Sequence, residues 1–252
     1  MSRLKIRVLL LFLVVSCSKS PAADEWQMHA LSNELLNPAQ LSIANQREVG
    51  LSVYNRFQLS ELNTGSLYAK YPNQWLDAGV KVSTFGYEEY QLLEGQVSVA
   101  KKVFANVALG INITVVNENS VLEEASKTYF SSGLGAFGRW NERFDWAFLV
   151  EHALGNLPGE PVNWFGGCTY KPVEFAAIFL EGSYNQTEHF NLSIGLEYEI
   201  LGQFSLRSGL MTATGMPNFG AGYRWKQWRA DVGFSLHPEL GTSSIIGIRR
   251  NF

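Results

Sequence analysis

Apolar and polar residues alternate along most of this chain. Between Trp228 and Leu236, the apolar Trp228, Ala230, Val232, Phe234 and Leu236 fall on one face of an extended segment. Arg229, Asp231, Gly233 and Ser235 fall on the other. Successive side chains of a strand point to opposite faces, so a period of two marks a strand lying between an apolar and a polar environment. The split recurs at Val49, Leu51, Val53 and Phe57 against Gly50, Ser52, Tyr54 and Arg56. It recurs at Leu76, Ala78, Val80 and Val82 against Asp77, Gly79, Lys81 and Ser83, and at Ala105 to Val115 against Asn106 to Thr114. Phe144, Trp146, Phe148 and Val150 oppose Asp145, Ala147, Leu149 and Glu151. Leu192 to Tyr198, Phe204 to Leu210 and Phe219 to Trp225 repeat it, with Glu197, Glu199, Arg207 and Arg224 on the polar parity.

Weaker runs bring the expected total to about fourteen strands. They begin near residues 47, 64, 74, 89, 104, 127, 143, 162, 174, 189, 203, 216, 228 and 241. Turns are expected at Gly86-Tyr87-Glu88, Asn117-Glu118-Asn119, Asn185-Gln186-Thr187 and Thr214-Gly215, where turn-forming residues cluster. A tilted membrane-crossing strand takes ~9–11 residues, and about 15 residues are available per strand and turn over residues 47–252.

Alternation fits a soluble sandwich, with its apolar face inward, or a transmembrane barrel, with that face toward lipid. Four features favour the barrel. The polar face is crowded with glycine: Gly50, Gly79, Gly110, Gly133, Gly135, Gly195, Gly209, Gly220, Gly222, Gly233 and Gly247. Such density in strands marks close approach or bending. Aromatic pairs stand near strand ends, as in the girdles of membrane barrels: Tyr68 with Tyr71, Tyr129 with Phe130, Trp164 with Phe165, Trp225 with Trp228. The chain ends on an alternating strand and Phe252, which resembles the signal read by the barrel-assembly machinery. Closure also removes the edges that a sheet of this size would expose.

The fourth feature is the start of the chain. Residues 1–22 carry Arg3, Lys5 and Arg7, then the apolar Val8 to Val15, then Ser20-Pro21-Ala22. This is the layout of a cleaved export signal. A second reading makes Val14-Val15-Ser16-Cys17 a lipoprotein box with Cys17 acylated. The expected organisation is a signal at 1–22, an N-terminal plug or tail at 23–46 and a barrel at 47–252. Composition agrees. Of 252 residues, 46% are hydrophobic but only 17% charged, less charge than the ~25% of a soluble domain. The net charge of -3 offers no nucleic-acid footprint.

Asn37-Pro38-Ala39, placed just before the first strand, resembles the corresponding feature of FadL-type and PorV-type outer-membrane barrels. Tyr170-Lys171-Pro172, Gly195 to Tyr198, Leu206 to Leu210, Phe219 to Tyr223 and His237 to Ser244 are similar to that superfamily in order. The resemblance implies a fourteen-stranded barrel, with an N-terminal plug in some members. It implies either an accessory role in protein secretion, as in PorV-type members, or passage of small hydrophobic compounds, as in FadL-type members. The secretion role is the first expectation, because this chain leaves little room for long external loops. The partners so implied are outer-membrane lipid, secretion-system proteins or hydrophobic small molecules.

The lumen is expected to hold Arg56, Lys81, Arg139, Arg207, Arg224, Arg229 and Arg249 against Asp77, Glu94, Asp145, Glu151, Glu197, Glu199 and Asp231. Charges withdrawn from bulk water need partners, and signs this balanced suggest a lumen-filling network rather than an ion-selective pore. Chemistry is sparse. There is no Gly-x-Ser-x-Gly elbow. His152 shares the parity of Phe148 and Val150, and Cys168 lies far from any metal-ligand spacing. No enzyme and no cofactor are expected.

Overall fold

The computed structural model describes residues 37–43, 46–121, 126–155, 161–185, 189–211, 215, 217–237 and 239–252. The expected export signal, Cys17 and most of the expected N-terminal segment lie outside these residues. Fourteen strands follow one another. They are β1 Glu48–Asn55, β2 Asn63–Tyr71, β3 Asp77–Tyr87, β4 Tyr90–Phe104, β5 Val107–Ser120, β6 Lys127–Asn141 and β7 Phe144–Gly155. Then come β8 Asn163–Val173, β9 Ala176–Asn185, β10 His189–Ile200, β11 Phe204–Met211, β12 Pro217–Trp225, β13 Trp228–His237 and β14 Gly241–Asn251. Each pairs with its neighbour in sequence, and β1 closes on β14, giving a closed antiparallel barrel. The closing register runs from Glu48 opposite Asn251 to Asn55 opposite Ser244.

The barrel is apolar outside. Leu51, Val80, Val97, Ile113 and Ile248 are exposed, while their lumen-facing neighbours Lys81, Ser83, Gln96, Ser98 and Asn112 are buried. This reverses a soluble protein and suits a wall that meets hydrocarbon. No described helix is long and apolar enough to cross a membrane; the strands do the crossing. The start of β1, the end of β14 and the short β4–β5, β6–β7, β8–β9 and β12–β13 turns share one end, here the terminal rim. No connection at the far rim exceeds seven residues. The wall is uneven: β4 and β6 have 15 residues each, β1 and β11 only 8.

Local details depart from the periodic reading. Leu76 precedes β3, and Ala105 with Asn106 makes the β4–β5 turn. Phe57 leaves the strand with φ 53° and stands edge-on to His237, ring centroids 5.7 Å apart. The turn expected at Asn117 to Asn119 is strand instead. Asn117 Nδ2 donates to Thr128 Oγ1 at 3.1 Å, and Glu118 faces Lys127 across the ladder. Cross-strand partners outweigh the local turn preference there.

Candidate functional site

The lumen wall has two chemically distinct sectors, and the N-terminal segment lies against one of them. Pro38–Ser42 forms a short 3-10 helix, buried throughout, seated on β3 to β6. Asn37 anchors it. Its Nδ2 donates to the carbonyls of Ala136 at 3.4 Å and Phe148 at 3.3 Å, which face each other across β6 and β7. Its Oδ1 accepts from Ala39 N at 3.1 Å, capping the helix, a role that suits Asn. Proline in the first turn fixes φ for a helical start.

Glycine makes the seat. Gly110 and Gly135 face each other across β5 and β6. A Cβ on Gly135 would lie 2.1 Å from Asn37 Oδ1, and one on Gly110 2.5 Å from the Pro38 carbonyl carbon. Leu41 packs over Gly79 of β3, and Ser42 Oγ donates to Asp77 Oδ2 at 2.6 Å. Beside the seat, Ala39 joins Ala108, Phe137, Ala147, Leu149 and Phe165 in a buried apolar cluster, with Ile43 and Phe179 packed on it. An apolar strip therefore runs across the inside of β5 to β9. The parity of Ala147 and Leu149 was its signal in the sequence: both fall on the supposedly polar face.

The opposite sector is ionic. Glu48 takes Lys70 at 3.2 Å, Arg249 at 3.8 Å and the Tyr68 hydroxyl at 2.7 Å. Asp231 takes Arg207 at 2.8 Å, Arg229 at 3.1 Å and Arg249 at 3.9 Å. Glu197 takes Arg207 at 3.2 Å and Arg229 at 3.6 Å. These side chains come from β1, β2, β10, β11, β13 and β14 and lie in the half of the lumen near the terminal rim. Separate pairs are Arg224 with Glu199 at 3.4 Å, Lys81 with Glu94 at 3.8 Å and Arg139 with Asp145 at 2.9 Å. Lys171 also reaches Asp145.

Several expected members sit elsewhere. Asp77 accepts from Ser42 of the 3-10 helix instead. Glu151 stands in a β7 bulge, where Ser132 pairs with Leu154 but Leu134 with Val150. Arg56 lies beyond β1, its guanidinium 5.6 Å from the Tyr54 ring and 5.7 Å from the Phe85 ring. The parity of Glu48, Lys70 and Lys171 would have added them to the ionic set. His152 does not stay with its apolar neighbours. At φ 55° it turns within the bulge, and its Nδ1 lies 2.7 Å from the buried Ser131 hydroxyl. Among the aromatic pairs, Tyr68, Tyr129 and Phe165 take the inward parity rather than joining a girdle. Tyr68 lies over Gly50, its partner across the ladder, an aromatic covering a strand glycine.

The fold and this two-sided lumen define a transmembrane β-barrel of the outer-membrane type with an inward-folded N-terminal segment. Several solved structures share its fold. The Pseudomonas putida toluene transporter TodX superposes with a TM-score of 0.70 at 11% identity, covering 95% of this chain and 100% of that one. The CymD monoaromatic hydrocarbon channel gives 0.65 at 11%, with 95% and 98% covered. The Ralstonia pickettii toluene transporter TbuX gives 0.63 at 11%, with 86% and 92% covered. No protein-family model matches the chain, and no curated relative matches it. At these identities the likeness is one of fold, and the resemblance drawn from Asn37-Pro38-Ala39 holds at that level.

Proposed function

We propose that this barrel lets small hydrophobic molecules cross the outer membrane passively, in preference to the secretion-related role. The carrying observation is the apolar strip of Phe137, Leu149, Phe165 and Phe179 inside a lumen that is otherwise polar and ionic. Apolar contact is what such a solute exchanges for water, and a ligand path is mostly apolar with few polar groups. The strip is packed against Ala39 and Ile43 of the N-terminal segment, so on this reading passage along it requires that segment to leave its seat. The fold neighbours support this reading, because their names describe toluene and monoaromatic hydrocarbon transport. The ionic sector fills the other side and leaves no single-sign path for ions. The short far-rim connections mean that capture falls to the strands themselves.

Gram-negative cells carrying the full-length protein should take up labelled toluene faster than cells without it. Leu149→Glu or Phe137→Glu should remove the gain while the barrel still shifts on an unboiled gel. No gain in uptake, with a secretion component recovered on pull-down, would overturn the transport reading in favour of the accessory one.

A further inference from the structure

The lipid-facing wall around the closing strands carries one charge that the lumen does not explain. Arg250 takes the outward parity of β14, opposite Val49 of β1 and Trp228 of β13. The other outward strand positions nearby are uncharged: Val49, Leu51, Ile246, Ile248, Ala230 and Val232 surround it. Its guanidinium carbon lies 5.3 Å from the Trp228 ring centroid and 4.6 Å from that of Phe252. Its Nε is buried without a hydrogen-bond partner. The acids of this sector, Glu48 and Asp231, lie on the lumen side, where Lys70, Arg229 and Arg249 engage them.

Two more cations stand on the same stretch of rim, at the starts of the strands β1 and β13 that flank β14. Arg47 precedes β1, its guanidinium 4.6 Å from the Tyr71 ring and its Nη2 donating to the Tyr71 hydroxyl at 3.1 Å. Lys226 lies in the β12–β13 turn, its Nζ 5.3 Å from the Trp225 ring. Backbone bonds tie the segments together: Phe252 N donates to Arg47 O at 2.9 Å, and Asn251 N to Gln227 O at 2.8 Å. None of the three cations is ion-paired with an acid among the described residues.

An unneutralised arginine on a lipid-facing wall is tolerated at the interface and costly at the midplane. Indole and phenyl rings set headgroup depth, and the planar guanidinium fork matches a phosphate. The short β4–β5, β6–β7, β8–β9 and β12–β13 turns mark this rim as the periplasmic one, whose leaflet is built of glycerophospholipid. We propose that Arg250, Arg47 and Lys226 form a binding site for the phosphate of an anionic glycerophospholipid, its acyl chains lying along Val49, Ile248 and Ala230. Three basic side chains outnumber the single acid beside them, the Phe252 carboxylate, and the net positive charge selects against a zwitterionic headgroup, whose ammonium it would repel.

Full-length protein in micelles doped equally with phosphatidylglycerol, phosphatidylethanolamine and lipid A tests this by native mass spectrometry. The wild type should retain phosphatidylglycerol over phosphatidylethanolamine by about fivefold. The Arg250→Gln, Lys226→Gln double variant should fall to parity. Lys101→Gln, an outward cation near the same rim on β4, should keep the wild-type preference and so controls for net charge. Should Arg250→Gln fail to insert, Lys226→Gln and Arg47→Gln singly should each weaken the preference. Equal retention by the wild type, an unchanged preference in the site variants, equal loss in Lys101→Gln, or a preference for lipid A would each overturn the site.

Discussion

Asn37 is fully buried, and its amide serves three backbone groups at once. A buried hydrogen bond contributes about 1 kcal/mol net, and an abandoned buried partner costs ~1–3 kcal/mol. That scale suits a docked but displaceable segment. Replacing Gly135 by Val puts a side chain where Asn37 Oδ1 now lies. The backbone of β6 cannot yield without breaking its ladders, so the segment has to leave its seat. Gly135→Val should raise amide exchange over residues 37–43 at least tenfold while strand amides in β5 and β7 stay protected. Unchanged exchange would show that the glycine pair is not the seat. Arg207, Arg229, Arg249 and Asp231 meet on the inward side of their strands, while other charged or polar residues depart from the alternation. Arg56 lies past its strand and turns to Tyr54 and Phe85. His152 is redirected by a bulge that no local pattern announces, because the two extra residues of β7 are defined only against β6.

The strands themselves were legible to within three residues of their starts, because each one announces itself by local alternation. Where they end was harder. Asn117-Glu118-Asn119 looks like a turn in isolation but becomes strand once Thr128 and Lys127 stand opposite. β5 also offers a direct test of which face meets lipid. Ile113 is exposed at mid-strand, and its neighbour Thr114 points inward. An arginine on the lipid face near the midplane costs ~2–4 kcal/mol. Ile113→Arg should therefore lower unfolding stability in lipid vesicles by about that much, while Thr114→Arg, entering the lumen, should cost clearly less. Equal losses at both positions would contradict the assigned faces.

Closure is the property of the whole molecule. Every strand is paired on both sides, including β1 with β14, so no edge remains for water or another chain to attack. The expected consequence is a barrel that survives detergent without heat. Unboiled protein should run at a different position from boiled protein on a gel, and a chain that stays soluble without detergent would refute the membrane assignment. Closure also decides what the lumen is. It brings the N-terminal Glu48 against the C-terminal Arg249 and gathers six strands into one ionic sector. It sets the apolar strip on the opposite wall, beside Ala39 of the plug.

The sequence by itself determined the strand number, the outward face of each strand and the crowding of glycine inside. All three follow from a period of two read over a dozen residues at a time. It also held the parity of Ala147 and Leu149, though not what they would meet. Only the tertiary structure decided that these two line an apolar strip against the plug, that Glu48, Lys70, Arg249 and Asp231 share one network, and that Arg250 stands outside it with Arg47 and Phe252. Those contacts join segments far apart in the chain. Their existence depends on register and closure, which alternation leaves free.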